Sequence, residues 1–309
     1  MNFDEFIARV VDEMRSRLLR QGDGSDIRVN KVLKNNGVEL TAMNVCKSSE
    51  EVCPTIYLDP FYRDYEQGMD FDVVMEDICR LREANCRCRK LDIRDVVDET
   101  KVMDNIILRL VNRERNSRLL ESAPFIEFND LAITFRRVLS LDNDGLATTI
   151  VNNNDVKRWR VSLDTLYKNA LKNTQRMFPC VRQNLFDALK GRYEGIDFDD
   201  DCDNVDELYM LSNTHGINGA TAVLYDGMLE ECANMVGDDI YILPSSVHEL
   251  LFIRASADYT EDYYKDLIRE ANKVTVSALD YLSDSLYMYS REKGKLLICL
   301  LYTSPSPRD

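Results

Sequence analysis

Ile240-Tyr241-Ile242-Leu243-Pro244-Ser245-Ser246-Val247-His248-Glu249-Leu250-Leu251-Phe252-Ile253 is the stretch that decides the fold class. Two short apolar runs rich in strand-favouring residues flank a polar connection that carries a proline and two serines, which predicts an antiparallel hairpin. Upstream, residues 208–211 and 220–225 predict two more strands across His215-Gly216-Ile217-Asn218-Gly219, and residues 228–236 predict a helix stopped by Gly237. Residues 208–253 therefore read as a β-β-α-β-β unit. Residues 27–33 and 38–45, joined across Asn35-Asn36-Gly37, form another hairpin, since Asn-Gly is the strongest short signal for a two-strand turn. Residues 131–139 and 146–151, turning at 142–145, form a third, and strands near 286–289 and 296–298 complete the set.

Helices fill the intervals. Phe3, Phe6, Ile7, Val10, Val11, Met14 and Leu18 recur with helical spacing behind a capping pair of Asn2 and Glu5. Apolar stripes predict further helices over 70–84 and 101–116, and Ser162 caps one running through Leu171. A short helix is expected over 181–189 and a last one over 261–273. Hairpins outnumber strand–helix–strand crossovers, so the expected fold is α+β, with mainly antiparallel sheets and flanking helices. Pro124 is the expected boundary between an N-terminal part, 1–123, and a C-terminal α+β domain, 124–298.

Composition narrows the function. With 309 residues, 45% of them hydrophobic, the chain can bury a large core. A formal net charge of -15 and a pI near 4.7 set its overall field against phosphate backbones, so no nucleic-acid partner is expected. Two basic clusters, Arg80, Arg82, Arg87, Arg89 and Lys90, then Arg109, Arg113, Arg115 and Arg118, are read as solvated helix faces. No apolar run approaches the roughly 18 to 20 residues of a membrane span, and no basic-then-apolar leader opens the chain, so a cytoplasmic protein with no membrane contact is expected. Nine irregularly spaced cysteines read as free thiols, with Cys86 and Cys88 lacking the other ligands of a zinc site. Neither G-x-G-x-x-G nor a phosphate-cradling G-x-x-x-x-G-K-[ST] occurs, and no cofactor is expected.

The run Thr55-Ile56-Tyr57-Leu58-Asp59-Pro60-Phe61-Tyr62, with Tyr65 and Gly68, resembles the signature of a domain-of-unknown-function family from anaerobic gut bacteria. That family has counterparts to Asn218-Gly219-Ala220 and to the run from Tyr241 to Glu249, in the same order. The resemblance spans about residues 2–297 and implies a fold but no activity. The C-terminal half also resembles a second bacterial family of unknown function. Residues 299–309 resemble a translated sequencing adapter of the kind carried into metagenomic assemblies, and are set aside from the fold.

Candidate chemistry is sparse. Ser245, Ser246, His248 and Glu249 could pair a hydroxyl nucleophile with a general base, although a serine turn that satisfies its own backbone explains the same residues. His248-Glu249 lacks the second histidine of a zinc peptidase, because Phe252 stands in its place. Asp197, Asp199, Asp201 and Asp203 alternate as in a calcium loop, but Cys202 and Leu208 occupy its glycine and glutamate positions. Tyr57, Phe61, Tyr62 and Tyr65 could line a partner surface or pack beneath the first helix. Two functions follow as expectations: a non-enzymatic binding or interaction module with a protein or small-molecule partner, or a hydrolase-type enzyme using His248 with Ser245 or Ser246.

Overall fold

A computed structural model describes residues 1–46, 55–87, 102–142, 145–192, 208–255 and 259–299. The chain forms two compact units, Met1–Asp98 and Glu99–Asp309. The division lies before the expected boundary at Pro124 because the strand that begins at Ile106 pairs across it, with the strand that begins at Leu131.

In the first unit, helix α1 (Phe3–Arg20) opens with the expected capping box, each of Asn2 and Glu5 accepting from the other's backbone at 2.9 Å. Phe6, Val10, Met14 and Leu18 make one fully buried stripe, four residues apart. It packs with strands β1 (Asp26–Leu33), β2 (Glu39–Cys46) and β3 (Thr55–Tyr57), an antiparallel sheet in the order β1-β2-β3. Asn36 and Gly37 both take positive φ in the β1–β2 connection, the conformation for which this dipeptide was read. Helices α2 (Leu58–Glu66) and α3 (Phe71–Arg87) close the core through Leu58, Phe71, Val74, Met75 and Ile78. The first basic cluster begins on α3, where Arg82 reaches back to the turn after α1: its Nη2 donates to Asp23 Oδ2 at 2.8 Å, and Ser25 Oγ donates to Asp23 Oδ1 at 2.6 Å. Cys46 is disulfide-bonded, which corrects the expectation of a free thiol there, whereas Cys79, Cys180, Cys232 and Cys299 are free.

The second unit holds two antiparallel sheets. One is built on the long strand β6 (Leu131–Asp142), flanked by β4 (Ile106–Asn112) on one edge and by β5 (Phe125–Phe128) and β7 (Gly145–Ile150) on the other. Of the segment 101–116, expected as a helix, residues 102–116 form a short 3-10 turn, β4 and the turn that follows it. All residues of β4 but Arg109 are buried, and a strand buried on both faces loses the alternation by which strands are recognised.

The unpaired edge of β4 is buried, and its backbone groups are met by side chains. Asn173 Nδ2 donates to Met103 O at 2.7 Å and Ile106 O at 3.0 Å, Leu108 N donates to Thr174 Oγ1 at 2.9 Å, and Leu110 N donates to Thr221 Oγ1 at 3.4 Å. Short helices α4 (Ser117–Leu120) and α5 (Asn153–Trp159) flank this sheet, and Asn173 and Thr174 lie on α6 (Leu163–Met177), capped as expected by Ser162.

The other sheet runs β13-β12-β10-β11-β9-β8, from β8 (Cys180–Asn184), β9 (Tyr209–Asn213), β10 (Ile240–Pro244), β11 (Leu250–Arg254), β12 (Tyr287–Ser290) and β13 (Lys295–Ile298). Its strands alternate between two cores. Ile240, Ile242 and Phe252 enter the main core with helix α8 (Met228–Val236), while Tyr241, Leu243 and Ile253 meet Tyr264 and Ile268 of helix α9 (Glu261–Thr275). Two further expectations change. Residues 220–225 form a buried 3-10 helix, Gly219–Leu224, and not a strand, and the helix expected over 181–189 is strand β8 followed by helix α7 (Leu185–Arg192). Across the unit, Asp130 in the β5–β6 turn accepts from the hydroxyls of Ser283 at 2.5 Å, Ser285 at 3.0 Å and Tyr287 at 2.5 Å.

Ser25 and Arg82 hold Asp23 well below the usual carboxylate range, down to about 2. A folded-state carboxyl depressed in this way stabilises the protein above about pH 4, and that contribution is lost as the pH falls towards 2. Urea midpoints measured between pH 5 and pH 2 should fall more steeply for the natural protein than for Asp23→Asn, whereas parallel curves would remove Asp23 from the acid response.

Candidate functional site

The connection from Ser245 to Glu249 closes on itself. Ser246 N donates to Glu249 O at 3.2 Å, His248 N donates to Ser246 Oγ at 3.0 Å, and the hydroxyls of Ser245 and Ser246 donate to Glu249 Oε1 at 3.4 and 3.2 Å. Ser246 is buried, so its hydroxyl is consumed in shaping the turn. The structure thus gathers the two serines and Glu249 around one carboxylate oxygen.

The ring of His248 bonds elsewhere. Asn218 N, which can only donate, reaches Nδ1 at 3.3 Å, so the ring proton resides on Nε2, which donates to Asp280 Oδ1 at 3.2 Å. Asp280 is itself fixed: its Oδ2 accepts from Ser277 Oγ at 2.7 Å, and its carbonyl accepts from Val247 N at 2.8 Å. A general base needs a free lone pair within reach of the hydroxyl proton, and here the Nδ1 lone pair is engaged by the backbone of Asn218. The side chain is 34% exposed, at the rim of this network. In this arrangement His248 ties the 3-10 helix Gly219–Leu224 and the segment around Asp280 to the hairpin.

Gly219 makes that junction close. Ser212 Oγ donates to His248 O at 2.8 Å and Ala220 N donates to Val247 O at 3.3 Å, with the α-carbon of Gly219 pressed between them. A β-carbon there would overlap both Ser212 Oγ and the His248 carbonyl. Asn218 enters the turn with φ 54°, a left-handed conformation that asparagine tolerates. The two pieces of sequence that carry the family resemblance in this half, Asn218-Gly219-Ala220 and Tyr241 to Glu249, are therefore contact partners. Sequence reasoning missed Ser212, Ser277 and Asp280, which lie about 30 residues from His248 and carry no local motif.

The aromatic candidates lie in the first unit. Phe61, Tyr62 and Tyr65 are half-buried against its core: Tyr62 packs on Phe3 and Phe6 at 4.8 and 5.3 Å between ring centroids, and Tyr65 on Phe6 at 5.7 Å. Tyr57, at the start of α2, lies under the ammonium of Lys34 at 4.3 Å. Three of the four thus serve the core beneath α1. Tyr65 also faces a cleft of about 560 Å³ that includes Met69 and Phe71, with Arg9, Glu66, Asp70 and Asp72 around it. The Arg9 guanidinium lies over the Phe71 ring at 3.8 Å.

Elsewhere burial disarms the thiols, pushing Cys180 up to about 11 and Cys232 up to about 12. Among the described residues, no group of three or more His, Cys, Asp and Glu side chains is placed to hold a metal ion. The alternating aspartates from Asp197 to Asp203, and Cys88 of the C-x-C pair, lie outside the described residues. No helix among the described residues is long and apolar enough to cross a membrane.

Fold and site define an α+β protein of antiparallel sheets in which the histidine-bearing turn acts as a structural junction. A family model described as a family of unknown function (DUF5688) matches residues 3–291, and the chain belongs to that family, as the two signature runs implied. No curated protein and no solved structure matches it.

Replacing Gly219 by alanine should destabilise the second unit by about 1–3 kcal/mol, the usual cost of forcing an added methyl group into a packed site. Denaturant unfolding of Gly219→Ala checks this, and an unchanged midpoint would show that the junction yields without cost.

Proposed function

We propose that this chain is a non-enzymatic binding module that takes a partner protein segment in the cleft beside Tyr65. The observation that carries this reading is the make-up of the cleft: Tyr65, Met69 and Phe71 line it together with Glu66, Asp70 and Asp72, and Met69 is 40% exposed. Arg9, which lines it, is engaged with the face of Phe71. Aromatic side chains give large contact area at little entropic cost, and the acidic residues beside them favour a basic neighbour. The occupant that fits is a segment presenting one large apolar side chain beside a lysine or arginine. The net charge of -15 favours the same class of partner.

Panning a displayed peptide library on the purified protein should enrich sequences that pair an apolar side chain with a basic one. Tyr65→Ala and Met69→Asp should weaken the selected peptides by about tenfold or more, as central contacts do. Equal binding to folded variants, or enriched peptides without a basic residue, would refute the assignment.

A further inference from the structure

The second basic cluster is divided by the fold. Arg113 Nη1 pairs with Glu127 Oε1 at 2.9 Å, and the Arg115 guanidinium stacks on Tyr281 at 3.5 Å. Arg109 does neither. It stands on β4 opposite Thr134 of β6, and Arg136 lies two residues further along β6. Side chains alternate across a pleated sheet, so Arg109, Thr134 and Arg136 share one face, with the two arginines as diagonal neighbours about 7–8 Å apart at the backbone. That face carries two small apolar clusters, Ile107 and Val138 with Phe178, and Val111 and Ala132 with Leu120. The arginines sit between them.

Their hydrogen bonding is incomplete. Arg136 Nε donates to Thr148 Oγ1 at 2.7 Å, but Arg109 Nε is buried with no partner among the described residues. Among the described residues, neither guanidinium forms an ion pair with a carboxylate. Asp280, the acid that acts on Arg109, is already bonded to His248 and Ser277. Burial, reinforced by the neighbouring Arg136, lowers Arg109 to about 10, and burial lowers Arg136 as well. Two cations drawn out of water side by side, one with an orphaned donor, are costly unless something supplies the opposite charge.

We propose that this stripe of β4 and β6 is a binding site for a phosphate group, gripped by the guanidiniums of Arg109 and Arg136. A dianion balances both charges where a carboxylate would balance one, and the planar forks of two arginines match phosphate oxygens in pairs. The site lies in the second unit and stands or falls independently of the cleft beside Tyr65.

The test uses the full chain with inorganic phosphate and phenyl phosphate as probes, against acetate and chloride at matched ionic strength. Phosphate at about a hundredfold its Kd should raise the unfolding temperature by about 5–10 °C, and acetate and chloride should not. Arg109→Met should raise the unfolding temperature without ligand, by relieving repulsion and removing the orphaned donor, while abolishing the response to phosphate. Arg136→Lys keeps the charge and loses the fork, so calorimetry should show binding about tenfold weaker with folding preserved. That second variant decides the matter if Arg109→Met fails to fold. Tighter binding of phenyl phosphate would place the phosphate on an organic ligand, and tighter binding of inorganic phosphate would make the free anion the ligand. A shift equalled by chloride, or retained in both variants, overturns the proposal.

Discussion

A buried strand edge must have its amides and carbonyls answered, and in this protein the edge that sets the terms is that of β4. Its backbone has β6 on one side only, and on the other it is met by Asn173, Thr174 and Thr221. Leaving such a buried group unpaired costs about 1–3 kcal/mol, so α6 and the 3-10 helix Gly219–Leu224 must sit where their polar side chains can reach it. These side chains are buried although each is polar, which is the reverse of what their chemistry alone would favour. Fixing the 3-10 helix in turn fixes Asn218 and Gly219, and through them the turn that carries His248.

That chain of constraint runs through the most reactive-looking residues of the sequence. Serine, histidine and carboxylate lie together between two strands: the serine hydroxyls and Glu249 bond within the turn, and the His248 ring bonds to Asn218 and Asp280 of other segments. The groups left over are of another kind: a cleft that sets Tyr65, Met69 and Phe71 among acidic residues in one unit, and a desolvated pair of arginines in the other.

The sequence was most legible where burial falls on one side. The Phe6, Val10, Met14, Leu18 stripe follows from local pattern, while the Asn2–Glu5 cap, the Asn36-Gly37 connection and the Ile240–Ile253 hairpin, whose strands are buried on both faces, follow from cap and turn chemistry. Where burial is two-sided, the pattern vanishes. Ile106, Ile107, Leu108, Leu110 and Val111 satisfy a helical stripe as well as they do a strand between two apolar layers. Ala220, Thr221, Ala222 and Val223 read as a strand for the same reason, since every one of them is buried. The errors carried over to the sites. Read as helical, Arg109 belonged to a solvated face, and only the β4–β6 register sets it beside Arg136. His248 was visible, but Asp280, which accepts from its ring, is 32 residues away and is brought in by tertiary folding alone.

The carboxylate of Asp130 adds a temporal dimension. Its hydroxyl partners lie 153 to 157 residues further along the chain, and Asn112 reaches 170 residues ahead to the carbonyl of Leu282. Such separations delay closure, because the entropy of a long loop must be given up before the contacts that offset it can form. On the ribosome the first unit can assemble while translation continues. The second must wait with β4 and β6 already made and their neighbours not yet synthesised, and in that interval its apolar strands are in the state most prone to chaperone capture or misassociation.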